Sequence, residues 1–170
     1  MELSKDRTGI EAKFFFLCEQ VAKDNGYILY DLEYIVGSKL LRVYIMNEST
    51  KSALIEDCIK VDHALTPFFE SETWMPREIT LEVSSPGIYR QLRVKEHFKQ
   101  SVGKKVSTVL SKNLTGELYT GMPKSITAEK KLKGELLEIE DEAIYLKIDK
   151  FKVMVPFINI KRANLEADDF

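Results

Sequence analysis

Apolar positions recur along the first half of the chain with two alternating periods. Ile10, Phe14, Leu17 and Val21 follow helical spacing, with Ser4 as the candidate cap and Asp24-Asn25-Gly26 as the stop. YILYDLEYIV then alternates, which predicts one face made of Ile28, Tyr30, Leu32, Tyr34 and Val36. Gly37-Ser38 turns the chain, and LLRVYIM alternates again through Leu41, Val43 and Ile45 to complete a hairpin. IEDCIKVDHALTPFF returns to helical spacing through Cys58, Val61, Leu65 and Phe68, with Pro67 expected to tighten or end the last turn. Past a polar loop with Trp74 and Pro76, ITLEVS sets Ile79, Leu81 and Val83 on one side. The reading is αββαβ, a small sheet with two helices on one face.

After Leu92 the pattern changes. VKEHF reads as one helical turn, followed by KKVSTVL, LKGELLEI, AIYLKI, KVMVPF and a final run from Lys161 to Leu165. Short strands with tight charged turns and no helix between them predict a small closed or nearly closed barrel. Lys112–Lys130 reads as a long mobile loop between the first two of these strands. The fold class is therefore α+β, in two domains over residues 1–90 and 91–170.

Charge sharpens this division. The 170 residues carry a formal charge of only −2, so net charge alone does not bind the chain to nucleic acid. Up to Leu92 there are ten Lys and Arg against fifteen Asp and Glu, and from Arg93 onward fifteen against twelve. Cys18 and Cys58 have neither CxxC nor metal-ligand spacing and read as buried free thiols, which points to a reducing compartment. The N-terminus shows no signal-peptide pattern, and no run approaches the ~20 apolar residues of a membrane span. A cytoplasmic protein is expected.

The chemistry of catalysis is missing from the sequence. His63 and His97 lack ligand-like neighbours at metal spacing. Ser84 and Ser85 end a strand, but the glycines of a nucleophile elbow are absent. There is no phosphate-binding glycine loop and no GxxG clamp. We expect no enzyme, no cofactor, no metal and no small-molecule substrate.

One stretch stands out, LEVSSPGIYRQL. Ser85-Pro86-Gly87-Ile88 fits a type II turn, in which proline presets the second position and glycine takes the positive φ of the third. Serine hydroxyls can donate to a phosphate or carbonyl outside the protein, and Arg90 and Arg93 follow within reach. Together with Lys104, Lys105, Lys161 and Arg162, the candidate binding residues are Ser84, Ser85, Gly87, Arg90 and Arg93.

LEVSSPGIYRQL followed by EHF and VGKKV resembles the signature of the ribosome maturation factor RimP family, as do DLEY…LLRVYI, IEDC and the closing VPFINIKRANL. The resemblance runs from about Ile10 to Leu165. It implies an αββαβ N-terminal domain and an SH3-like (Sm-like) C-terminal β-barrel. It also implies a non-enzymatic assembly factor that binds the maturing small (30S) ribosomal subunit and promotes a late step near the decoding region, and a monomer is expected. The implied partners are ribosomal RNA and the twelfth small-subunit ribosomal protein. Where the family places Asp and Pro around its arginine, this chain has Tyr89 and Gln91. The alternative is a protein-interaction adaptor gripping peptides through barrel aromatics Tyr119, Tyr145, Phe151 and Phe157.

Overall fold

The computed structural model describes residues 7–167. The chain divides between Gly87 and Ile88 into two compact units. The first unit contains α1 (Gly9–Asp24), β1 (Ile28–Ile35), β2 (Leu40–Met46), α2 (Ile55–Ser71) and β3 (Thr80–Ser84). This is the expected αββαβ order. Ser4, the expected cap of α1, lies outside the described residues, and Thr8 stands at the cap position without a side-chain bond.

The strands pair as β1-β2-β3, antiparallel between β1 and β2 and parallel between β2 and β3. Leu41, Val43 and Ile45 form the middle of the core, against Phe14, Cys18 and Val21 of α1 and Val61 and Leu65 of α2. Phe14 also meets the rings of Tyr34 and Trp74, at centroid distances of 4.9 and 5.3 Å. Pro67 does not end α2, which continues to Ser71.

The expected face of β1 is corrected by a bulge. The register against β2 shifts between Leu29 and Asp31, so Tyr27 and Leu29 face the core before it and Leu32 and Tyr34 after it. Val36, expected on the buried face, is 71 % exposed in a 3-10 turn that closes on Lys39 at φ 51°. At the bulge, the buried Asp31 carboxylate accepts from the Arg7 guanidinium at 2.5 Å and from the Leu32 N–H at 2.8 Å. Arg7 also donates to Glu11 and to the Leu32 carbonyl, which ties the start of α1 to β1.

At the start of α2, the Asp57 carboxylate accepts from the Tyr27 hydroxyl at 2.6 Å and from the Leu54 N–H at 2.8 Å. Those bonds, the tyrosine's first, hold the carboxyl below its ordinary value.

The second unit contains α3 (Lys95–Lys99), β4 (Lys105–Leu110), α4 (Lys124–Thr127), β5 (Lys131–Ile139), β6 (Ala143–Ile148), β7 (Phe151–Pro156) and β8 (Ile160–Leu165). The strands form one antiparallel sheet in the order β7-β6-β5-β4-β8. The barrel, expected to be closed or nearly closed, is not closed, because no ladder joins β7 to β8 among the described residues. One edge of β8 pairs with β4. Residues 89–92 lie along the other, where Leu165 N–H donates to the Arg90 carbonyl and Leu92 N–H to the Ala163 carbonyl, at 2.8 and 2.9 Å.

The core face of the sheet carries Val106, Leu110, Leu132, Leu136, Ile144, Leu146, Val153, Val155, Ile160 and Leu165. Lys112–Lys130 is not the bare mobile loop expected. It contains α4 and a 3-10 turn at Glu117–Tyr119, and it buries Leu114, Tyr119 and Ile126 in the same core. The sequence hid this because its three apolar anchors follow no single period.

At Gly134 of β5 the backbone of β6 approaches closely. A Cβ there would stand 2.5 Å from the Lys147 carbonyl oxygen and 2.9 Å from Ile148 Cγ1. Gly134→Ala should destabilise the second unit by about 1–3 kcal/mol, read as a lower urea midpoint at unchanged slope. In the first unit, Asp57 titrates lower when folded than when unfolded, so its contribution is present above the unfolded value and disappears as pH falls through the folded one. Stability curves of the wild type and Asp57→Asn should therefore differ near neutrality and converge in acid.

Candidate functional site

The quoted turn lies at the division between the units. Ser84 ends β3 opposite Tyr44 of β2, and its hydroxyl donates to the Ser85 carbonyl at 3.1 Å. Gly87 takes φ 75°, the positive value expected of it. The turn itself falls at Ile88 and Tyr89, later than the Pro-Gly position read from the sequence. Ser85 and Arg90 are half-buried, while Gly87 is exposed.

Arg90 holds its place through its backbone, as the acceptor of the Leu165 N–H. The Tyr89 carbonyl accepts from the Asn164 side-chain amide at 3.1 Å. Gln91 faces Asn164 in the bridge, and the two ladder bonds flanking it belong to Arg90 and Leu92. The proline that the family pattern places at this position would leave both bonds intact.

The remaining candidates belong to the second unit. Arg93 follows the last residue paired with β8, and its N–H donates to Nδ1 of the buried His97 at 3.1 Å. That bond makes Nδ1 the acceptor of the ring and fixes its place at the start of α3.

Lys161 and Arg162 open β8 on a bulge. The register against β4 shifts between Val109 and Leu110, whose partners are Arg162 and Ile160, so Lys161 is the extra residue. Strict alternation would bury one of two consecutive side chains; the bulge leaves both exposed. Arg162 sits across Val109 from Lys131 of β5, on the face turned away from the core. With strands ~4.8 Å apart, two steps separate the backbones of Lys131 and Arg162 by roughly 10 Å.

Lys104 and Lys105 do not join them. Lys105 opens β4 at its other end, opposite Glu135, and its carbonyl accepts from the Glu166 N–H. Five residue steps along the strand, about 17 Å, separate Lys105 from Leu110. The structure therefore brings Lys161 and Arg162 together with Lys131, which the sequence reading missed. Its signal was the cross-strand register, which is not written in any single segment.

Burial pushes the Cys18 thiol up to about 12, and burial followed by the Asp57 charge raises that of Cys58. Both cysteines are free thiols, Cys18 buried and Cys58 half-buried. The aromatics proposed for a peptide groove do not form one. Tyr119 and Phe157 are buried in the core, Phe157 edge-on to Phe98 at 5.4 Å, and the Tyr145 hydroxyl donates to Glu140. No described helix is long and apolar enough to cross a membrane.

Residues 17–89 match the family model of the RimP N-terminal domain. The match supports a likeness to the RimP family over these residues. RimP is a ribosome maturation factor family, and the matched region takes in most of the first unit, from the middle of α1 through β3 to the turn after it.

Nothing lies within 4 Å of a Cβ built on Gly87, so side chains there are limited by backbone conformation alone. Gly87→Val should cost about 1–3 kcal/mol, because β-branched residues are disfavoured at positive φ. Gly87→Asn should cost markedly less, as asparagine tolerates that region. Paired thermal melts of the two variants check this.

Proposed function

We propose that this chain is a non-enzymatic assembly factor that binds the maturing small ribosomal subunit and promotes its late maturation in the cytoplasm. The match of residues 17–89 to the RimP N-terminal domain carries the reading. The composition of the second unit supports it, with exposed cations on a sheet whose core is otherwise complete.

We read the second unit as an open member of the SH3-like (Sm-like) barrel class. Its first strand, β4, pairs with both the next strand and the last one, and a 3-10 turn at Phe157–Asn159 precedes β8. The domain boundary read at residues 90 and 91 falls three residues beyond the division between the units, within the segment 89–92 that forms an edge of the sheet.

The proposed contacts are reversible ones. Arg90, Arg93, Lys161 and Arg162 supply positive charge, while Ser84, Ser85 and Gly87 keep the approach to the turn small and polar. Ribosomal RNA and a small-subunit ribosomal protein are the proposed partners. A few phosphate contacts give binding that weakens steeply with salt, which suits a factor that must leave when its step is complete.

Gradient co-sedimentation with small-subunit precursors at low salt tests the reading. The full chain should travel with the precursors and separate from them as salt is raised. A chain that stays at the top of the gradient with precursors present at low salt would overturn it.

A further inference from the structure

Three elements of the second unit converge at one end of its sheet and bring cations with them. Val109 pairs with Lys131 on one side and Arg162 on the other, and the Leu110 N–H donates to the Lys130 carbonyl at 2.7 Å. Lys161 is the bulged residue beside Arg162. Beyond β4, the chain is clamped by a single buried side chain. Lys112 N–H donates to Asn159 Oδ1 at 3.0 Å, and Asn159 Nδ2 donates to the Lys112 carbonyl at 2.9 Å. Asn159 stands directly before β8, so its amide fixes Lys112 close to the start of the strand that carries Lys161.

The result is an end of the sheet bearing Lys112, Lys130, Lys131, Lys161 and Arg162, all exposed. Among the described residues none of these five has an ion-pair partner. Glu129, next to Lys130, is the acidic residue adjoining them in sequence, and Ile158, 81 % exposed, stands beside Asn159. Along β5 the next outward residue, Lys133, is paired with Glu166, and further along Lys105 faces Glu135. The outer face therefore runs from unneutralised positive charge at one end to balanced charge at the other.

We propose that this basic end is a surface for the phosphate backbone of folded RNA, held without reading the bases. The inference rests on the assembly-factor reading above, and it names the part of the molecule that meets RNA. The side chains come from several short elements held by backbone pairing and by the Asn159 clamp, so their spacing is fixed. The five are lysines and one arginine, suited to phosphate oxygens. None of them is an aromatic on which an unstacked base could rest, which favours backbone contact over single-strand stacking. A protein partner would more commonly bring an apolar centre to such a surface.

The test uses the full chain, a fluorescent RNA hairpin of sequence unrelated to ribosomal RNA, and small-subunit precursors. Lys131→Gln/Lys161→Gln/Arg162→Gln should weaken hairpin binding about tenfold or more at moderate salt and flatten the log–log salt slope by about two to three units. Lys104→Gln/Lys105→Gln, at the other end of β4, should change neither. Both variants exchange exposed side chains, and equal melting temperatures would confirm that folding is intact.

Unchanged hairpin affinity and slope in the triple variant would overturn the surface. So would equal losses in the two variants, which would reduce the effect to net charge. A triple variant that loses precursors but keeps the hairpin would assign the surface to a protein partner and overturn the RNA assignment. If the wild type fails to co-sediment with precursors, the assembly-factor reading falls, while the hairpin measurement still decides the surface. Precursor binding that survives in the triple variant together with an unchanged hairpin slope removes the surface and leaves that reading standing.

Discussion

The backbone of β8 is paired on both edges, and much of the second unit depends on that arrangement. With β4 on one side and residues 89–92 on the other, residues 163–165 of β8 have no edge left for another strand, and no ladder joins β7 to β8 among the described residues. β7 also ends at Pro156, which lacks the N–H that another ladder bond would need, and the chain crosses to β8 through a 3-10 turn. The same pairing protects an edge strand that would otherwise present unpaired N–H and carbonyl groups to other chains. Residues that a linear reading treats as a hinge are thus part of the second unit's sheet.

Bulges do comparable work in both units. In β1 the bulge at Tyr30 and Asp31 changes which face is buried and makes room for the Arg7–Asp31 pair. In β8 it turns two consecutive cations outward. In each case one extra residue breaks the period of two and changes what the strand can present, while its core contacts on either side are kept. A bulge needs only one unpaired residue, so it is compatible with an otherwise regular ladder.

The charge pattern follows from these backbone facts. Net charge is close to zero, and the excess of cations after Arg93 is small. What concentrates it is register, which places Lys131 and Arg162 on either side of Val109 and leaves Glu135 and Glu166 beside Lys105. Charges close together on a rigid sheet act as one field at distances below the Debye length of about 8–10 Å. The same residues scattered along a solvated loop would not.

The sequence by itself determined the order of elements, because hydrophobic period is local and each helix or strand carries its own. Phe14, Val21, Val43, Val61 and Leu65 were legible as core, and so was the positive φ of Gly87, though not the place of the turn at Ile88 and Tyr89. The family likeness was legible too, in the motif LEVSSPGIYRQL and the segments around it. Tertiary structure decided the rest: the open sheet, the buried anchors of the Lys112–Lys130 segment, the separation of Lys104 and Lys105 from Lys161 and Arg162, and the gathering of Lys112 through Asn159. These depend on which strands pair and in what register, and that is fixed by contacts between residues far apart in the chain. A period can say which face of a strand is apolar, but only the neighbouring strand decides what stands beside each polar residue on the other face.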